Sequence, residues 1–132
     1  MPSSPKWLDE DVVLAIHEAQ IAEHGGATGI RDRGLLLSAL SRPRNAALHS
    51  KAALSELAAL YALGVIKNHP FLDGNKRVGA VLMSVFLELN GSELVATDEE
   101  LVRAILGIAA GVMPDERFIE WVAEHIPRPR GR

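Results

Sequence analysis

The sequence contains no cysteine. Disulfides and thiolate metal sites are therefore excluded, and nothing in the composition marks a redox compartment. Aromatic residues are scarce, at 5%, while hydrophobic residues reach 48%, with Ala and Leu dominant. That balance favours packed helices over a β-sandwich. Neither sign of charge is in marked excess: 14 basic residues stand against 17 acidic, for a net charge of -3. Bulk binding to nucleic acid or to a membrane surface is not indicated. No apolar run approaches the roughly 18 residues of a membrane span. The opening stretch MPSSPKWLDED is polar and lacks the apolar core of a signal peptide. The expectation is a soluble, cytoplasmic chain with no membrane partner and no direct nucleic-acid partner. No internal repeat is visible.

At 132 residues the chain fits one domain, and that length buries about two thirds of the unfolded surface. The domain is expected over 1–126, with a disordered tail, PRPRGR, over 127–132. Asp9, Glu10 and Asp11 place acid at a helix start, where the macrodipole favours it, and the helix runs to about His24. Gly25-Gly26 ends it and opens the loop GGATGIRD. Asp32 can cap a second helix, from Arg33 to about Ser41, which Pro43 stops. Ser50 can cap a third, from about Lys51 to Asn68, whose Leu54, Leu57, Ala58, Tyr61, Ala62, Val65 and Ile66 form an apolar stripe.

A fourth helix runs from about Lys76 to Leu89. It is apolar nearly all round and is expected to be the central buried helix, stopped by Asn90-Gly91. Ser92 to Ala96 reads as a short connection of extended character. Thr97 and Glu100 form a capping box for a fifth helix, to about Ala110. Pro114 and Asp115 start a sixth, ending near Ile126. The expected fold class is all-α: a compact bundle of about six helices around a central buried helix.

Between the third and fourth helices stands HPFLDGNKR, residues 69–77. Lys76 and Arg77 occupy the positive pole of the following helix, where cations are unfavourable unless an anion joins them. Free N–H groups at a helix start bind phosphate, and a preceding Gly lets the backbone come close. Gly74, Asn75, Lys76 and Arg77 therefore read as a phosphate cradle, in which Gly74 and Asn75 supply backbone and cap geometry. Asp73 would repel a bare phosphate, but it fits a site where a divalent cation such as Mg²⁺ lies between the two. His69 can accept a proton from an attacking hydroxyl. Pro70 stiffens the loop, and Phe71 plugs into the core. Each residue also has an ordinary explanation as a turn, cap or surface side chain, and the residues alone leave both readings open. His17, His24, His49 and His125 show no metal-ligand spacing and read as surface or structural.

The stretch resembles the signature of the Fic/Doc family: His, any residue, Phe, any residue, an acid, Ala or Gly, Asn, Gly or Lys, Arg. His69, Phe71, Asp73, Gly74, Asn75, Lys76 and Arg77 match every defining position. Lys76 in place of the usual Gly, and Val78-Gly79-Ala80 where typical Fic enzymes carry a second Arg, are similar to the Doc (death-on-curing) branch. Leu14 to Pro43 also resembles the N-terminal part of Doc-like proteins.

The resemblance implies ATP and Mg²⁺ as cofactors. It casts His69 as base, Asp73 as metal ligand and the remainder of the loop as phosphate binder. It further implies a toxin that transfers the terminal phosphate to a Ser or Thr hydroxyl of a protein target, of the type of translation elongation factor Tu. Transfer of AMP, which Fic proteins generally perform, is the alternative, and an inactive nucleotide-binding module is a third reading. The family's internal inhibitory pattern (Ser or Thr, three residues, Glu, then Gly or Asn) is unmatched; the nearest stretch, Ser84 to Glu88, is followed by Leu89. Inhibition is then expected from a partner antitoxin with a C-terminal segment that folds on binding. In the family a segment ahead of the motif acts as a flap that aligns the target peptide. That makes the loop from Gly25 to Asp32 a candidate to contribute to the site through Arg31 or Asp32, with Asp32 as a plain helix cap the competing reading.

Overall fold

A computed structural model of the chain describes residues 4–127. Six helices follow one another: α1 (Glu10–His24), α2 (Arg33–His49), α3 (Leu54–Asn68), α4 (Asn75–Leu89), α5 (Asp98–Ala109) and α6 (Asp115–Glu124). The only β-type feature among the described residues is an isolated antiparallel bridge between Ile30 and Phe71. The fold is thus the all-α bundle that the composition implies. No helix of the described residues is long and apolar enough to cross a membrane. The tail expected to be disordered, 127–132, lies outside the described residues except for Pro127.

The central helix is α3, not α4. Every residue from Leu57 to Ile66 is buried, and α2, α4, α5 and α6 all pack on it. Helix α4 buries one face through Val78, Leu82, Met83, Phe86 and Leu87, and leaves Ala80, Val81 and Val85 only half-buried. Small side chains on α3 and its neighbours explain the difference, because they let helices approach closely. A Cβ added to Gly64 would lie 3.0 Å from the Cβ of Ala39 on α2. One added to Gly79 of α4 would lie 2.9 Å from Cγ1 of Ile66. Tyr61, fully buried on α3, accepts a hydrogen bond from the Leu8 N–H at 3.0 Å, anchoring the segment before α1.

Two expected boundaries are corrected. Pro43 does not stop α2, which continues to His49 with Pro43 buried inside it. A proline removes one i→i−4 hydrogen bond, at a cost of about 3 kcal/mol in a helix interior. Here the packing of Leu36, Ala39, Leu40 and Pro43 against the core outweighs that loss. Ser50 then belongs to the end of α2: both its N–H and its hydroxyl donate to the Ala46 carbonyl, at 3.0 and 2.8 Å. It does not cap α3, which begins at Leu54 without a side-chain cap.

The other helix starts follow the sequence. The Asp32 carboxylate accepts from the Leu35 N–H at the start of α2. Thr97 and Glu100 complete a capping box on α5. The stretch 92–96 is no strand; the Val95 N–H bonds to the His125 carbonyl at 2.7 Å, tying it to the end of α6.

Candidate active site

The motif occupies the corner between the C-terminus of α3 and the N-terminus of α4. His69 ends α3 in the left-handed conformation, φ 55° and ψ 53°, with its N–H bonded to the Val65 carbonyl at 3.0 Å. It is the only non-glycine residue with positive φ among those described. Glycine usually takes this position, and another side chain there costs roughly 1–3 kcal/mol. Its side chain is exposed. Phe71, fully buried, plugs the loop into the core as expected.

Asn75 closes the loop. Its Oδ1 accepts from the Phe71 N–H and its Nδ2 donates to the Phe71 carbonyl, each at 3.0 Å. The residue is 4% exposed, and both ends of its amide bind the Phe71 backbone. Those bonds tie the side chain to loop closure, while the backbone N–H of Asn75, in the first turn of α4, has no intrahelical acceptor. Gly74 takes the left-handed region, φ 82° and ψ 13°. The first α4 hydrogen bond runs from the Val78 N–H to the Gly74 carbonyl at 2.9 Å. The amides of Asn75, Lys76 and Arg77 precede it and have no intrahelical acceptor. Lys76 and Arg77 are both exposed. Neither takes part in an ion pair among the described residues.

The Asp73 carboxylate accepts from the Gly74 N–H at 2.9 Å and from the Ala27 N–H at 3.2 Å. A carboxylate has room for further partners on its remaining lone pairs. Among the described residues no group of three or more His, Cys, Asp or Glu side chains gathers to hold a metal ion. A cation at Asp73 would complete its shell with phosphate and water oxygens. That suits Mg²⁺, which commonly uses one or two carboxylates plus substrate phosphates.

The loop between α1 and α2 is laid along the motif. The Leu72 N–H bonds to the Gly29 carbonyl at 3.1 Å, and the Arg31 and Asp32 amides bond to the Pro70 carbonyl at 2.7 and 3.0 Å. Arg31 reaches further: Nε donates to the His69 carbonyl at 2.7 Å and Nη2 to the Asn68 carbonyl at 3.0 Å. Gly26, φ 121°, passes so close to the acid that a Cβ would lie 2.7 Å from Asp73 Oδ2. The loop thus adjoins the motif, with the Arg31 side chain on the backbone of residues 68 and 69 and the Asp32 carboxylate capping α2.

His17 belongs to the corner too. It is 3% exposed and its ring stacks on that of Phe71, with centroids 3.9 Å apart and planes 8° apart. Its Nε2–H donates to the Asp73 carbonyl at 3.0 Å. Sequence reasoning placed it only as surface or structural. The available signal was its spacing with Val13 and Ile21, which share its buried face of α1. A cavity of about 1020 Å³ lies at the far ends of α3 and α4, lined by Leu54, Glu88, Glu93 and Ile126 among others, and includes none of the motif residues. The corner is instead an exposed surface of unpaired cations, free amides and a left-handed histidine. Such a surface can seat a phosphate chain and offer a base beside it.

The model of the Fic/DOC family matches residues 7–87. The chain is 29% identical over 107 residues to a protein kinase doc of Escherichia phage P1, covering 80% of this chain and 84% of that protein. It is 35% identical over 94 residues to a toxin Doc of Mycolicibacterium smegmatis, covering 69% of each.

Proposed function

The chain belongs to the Fic/Doc family, and on that premise we propose that it is the toxin of a toxin–antitoxin pair that moves the γ-phosphate of ATP to a Ser or Thr hydroxyl of a protein target. The observation that carries this reading is the α3–α4 corner, where an exposed His69 ends one helix and the next begins with amides of residues 75–77 that lack intrahelical acceptors and with two exposed cations. The likeness to Doc relatives, one named a protein kinase and the other a toxin, supports the same chemistry.

The triphosphate binds the first-turn amides of α4, and Lys76 and Arg77 offset its charge. His69 takes the proton of the target hydroxyl as that oxygen bonds to the γ-phosphorus. The bond from the γ-phosphorus to its bridging oxygen breaks, and ADP leaves with the electron pair. Asp73 is the residue that would hold a Mg²⁺ ion, which would supply charge neutralisation to the phosphates. Protein targets of the elongation factor Tu class fit the Doc branch, and modifying one would block translation. An antitoxin whose C-terminal segment folds on the toxin supplies inhibition in trans.

Transfer of AMP would use the same base and loop. The positions after Arg77 favour the γ-phosphate: Val78, Gly79 and Ala80 offer no guanidinium, and Val78 and Gly79 are buried. Incubation with a cell extract and ATP labelled at the α- or γ-position separates the readings. Label on protein from γ-ATP alone, abolished by His69→Ala, is expected. Label from α-ATP would establish AMP transfer, and nucleotide binding without any transfer would mark an inactive module.

A further inference from the structure

We infer that Arg31, which lies outside the motif, is a positioning residue for His69: its guanidinium fixes the two peptide planes on either side of the His69 Cα. The inference rests on the reading of His69 as the base.

The carbonyls that Arg31 grips are those of Asn68 and His69. The first belongs to the peptide plane before the His69 Cα and the second to the plane after it. Orienting both planes sets φ and ψ of residue 69, the one non-glycine position in the left-handed region among the described residues. The next carbonyl, that of Pro70, is taken by the backbone amides of Arg31 and Asp32. Segment 31–32 thus pins three successive carbonyls around the base. Asn68 is held from its other side by its own Nδ2, which donates to the Leu35 carbonyl at 2.9 Å.

A guanidinium suits this task. Its fork offers parallel donors in a fixed plane, whereas an ammonium is a point charge on a mobile stem. A cation is also favourable at a helix C-terminus, where the last carbonyls lack partners. An ordinary C-cap would add stability and nothing more. What distinguishes Arg31 is that it caps the helix through the residue that carries the chemistry, in a conformation that residue adopts unwillingly. Displacements of about 1 Å from a reactive geometry can lower rates roughly 100-fold.

The test uses the full chain and two readouts. The first is steady-state γ-phosphate transfer to the target protein. Arg31→Ala is expected to lower kcat roughly 10- to 100-fold with KM for ATP within about twofold, since the phosphate-binding amides and cations are untouched. Arg31→Lys, which keeps the charge without the fork, recovers only part of the loss. The second readout needs no activity: the urea midpoints of His69→Gly and His69→Ala, each with Arg31 and with Arg31→Ala. With Arg31 present, Gly at residue 69 is more stable than Ala, because only Gly takes the left-handed region freely. Without Arg31 that difference shrinks, because residue 69 is no longer held there. Should Arg31→Ala not fold, both comparisons are read on Arg31→Lys. An unchanged kcat, or a Gly–Ala difference independent of Arg31, overturns the inference. If the parent transfers no label at all, the proposed function fails, and the Gly–Ala comparison alone decides the role of Arg31.

Discussion

The imidazole of His17 lies flat on the ring of Phe71, 3.9 Å between centroids, while its Nε2–H bonds to the Asp73 carbonyl. One side chain from α1 thus holds both the plug and the acid of the motif loop. His17→Ala should destabilise the protein by about 2–4 kcal/mol, as expected for a buried aromatic that also satisfies a carbonyl. His17→Phe keeps the stack but leaves the Asp73 carbonyl without this donor. It should recover much of the stability while still lowering transfer. Urea denaturation and the labelled-ATP assay, run on the same two variants, check this; equal transfer by His17→Phe and the parent would refute the link to Asp73.

Asn75 is a matching prediction with the opposite attribution from that of a phosphate ligand. Its amide both donates to and accepts from the Phe71 backbone. Asn75→Asp keeps the shape but sets a second acceptor against the Phe71 carbonyl in a buried place. A loss of roughly 2–4 kcal/mol is expected, from one broken bond and a buried carboxylate oxygen set against the Phe71 carbonyl. Loss of transfer by this variant should track loss of folded protein across a urea series, not a rise in KM for ATP alone.

What the sequence made legible here was what local rules govern. The capping box at Thr97 and Glu100, the Asp32 cap and the crowding of residues 69–77 follow from neighbours a few positions apart. What it hid depends on distant partners. Pro43 sits inside α2 because of packing across the bundle. The burial of α3 follows from Ala39, Gly64 and Gly79 letting helices close in. The Arg31 fork spans to residues 68 and 69, and His17 reaches residues 71 and 73, so neither pairing leaves a local pattern. The apolar appearance of α4 misled because Val81 and Val85 remain half-buried, which hydropathy alone does not reveal.

Gly25 and Gly26 should separate stability from function. Both have positive φ, 84° and 121°, so alanine at either is expected to strain the backbone by about 1–3 kcal/mol. A Cβ on Gly25 meets nothing within 4 Å, whereas one on Gly26 would lie 2.7 Å from Asp73 Oδ2. Gly26→Ala should therefore displace the loop from Asp73 and lower transfer as well as stability. Gly25→Ala should lower the urea midpoint and leave kcat within about twofold of the parent, since the change is confined to strain.

Glu100 gives the acid-side prediction. Its carboxyl is held below the usual carboxylate range, chiefly by the Thr97 N–H. A depressed folded-state pKa means that the ionised cap stabilises the fold above the unfolded-state pKa. That contribution fades as pH falls through the folded value. Glu100→Gln can keep both capping-box hydrogen bonds but cannot titrate. Its midpoint should therefore depend less on pH than the parent's between about pH 5 and 3, the range around an ordinary glutamate. Parallel curves for the two proteins would show that the cap is not linked to acid stability.

Arg77 should behave in the opposite sense to Asn75. It is exposed, unpaired, and placed at the positive end of α4, so in the absence of ligand its charge opposes the helix dipole. Arg77→Gln should leave the urea midpoint unchanged or raise stability by about 0.3–1 kcal/mol, the size of a charge–dipole effect at a helix end. With nucleotide bound, the same charge is expected to become favourable. Losing a charge-assisted contact to phosphate is expected to weaken ATP binding roughly 10- to 100-fold, measured by calorimetry. Binding to the parent should also fall with added salt more steeply than binding to the variant, because a screened cation has been removed. A variant both less stable and unaltered in ATP affinity would place Arg77 among the residues that build the loop, beside Asn75, and take it out of the phosphate site.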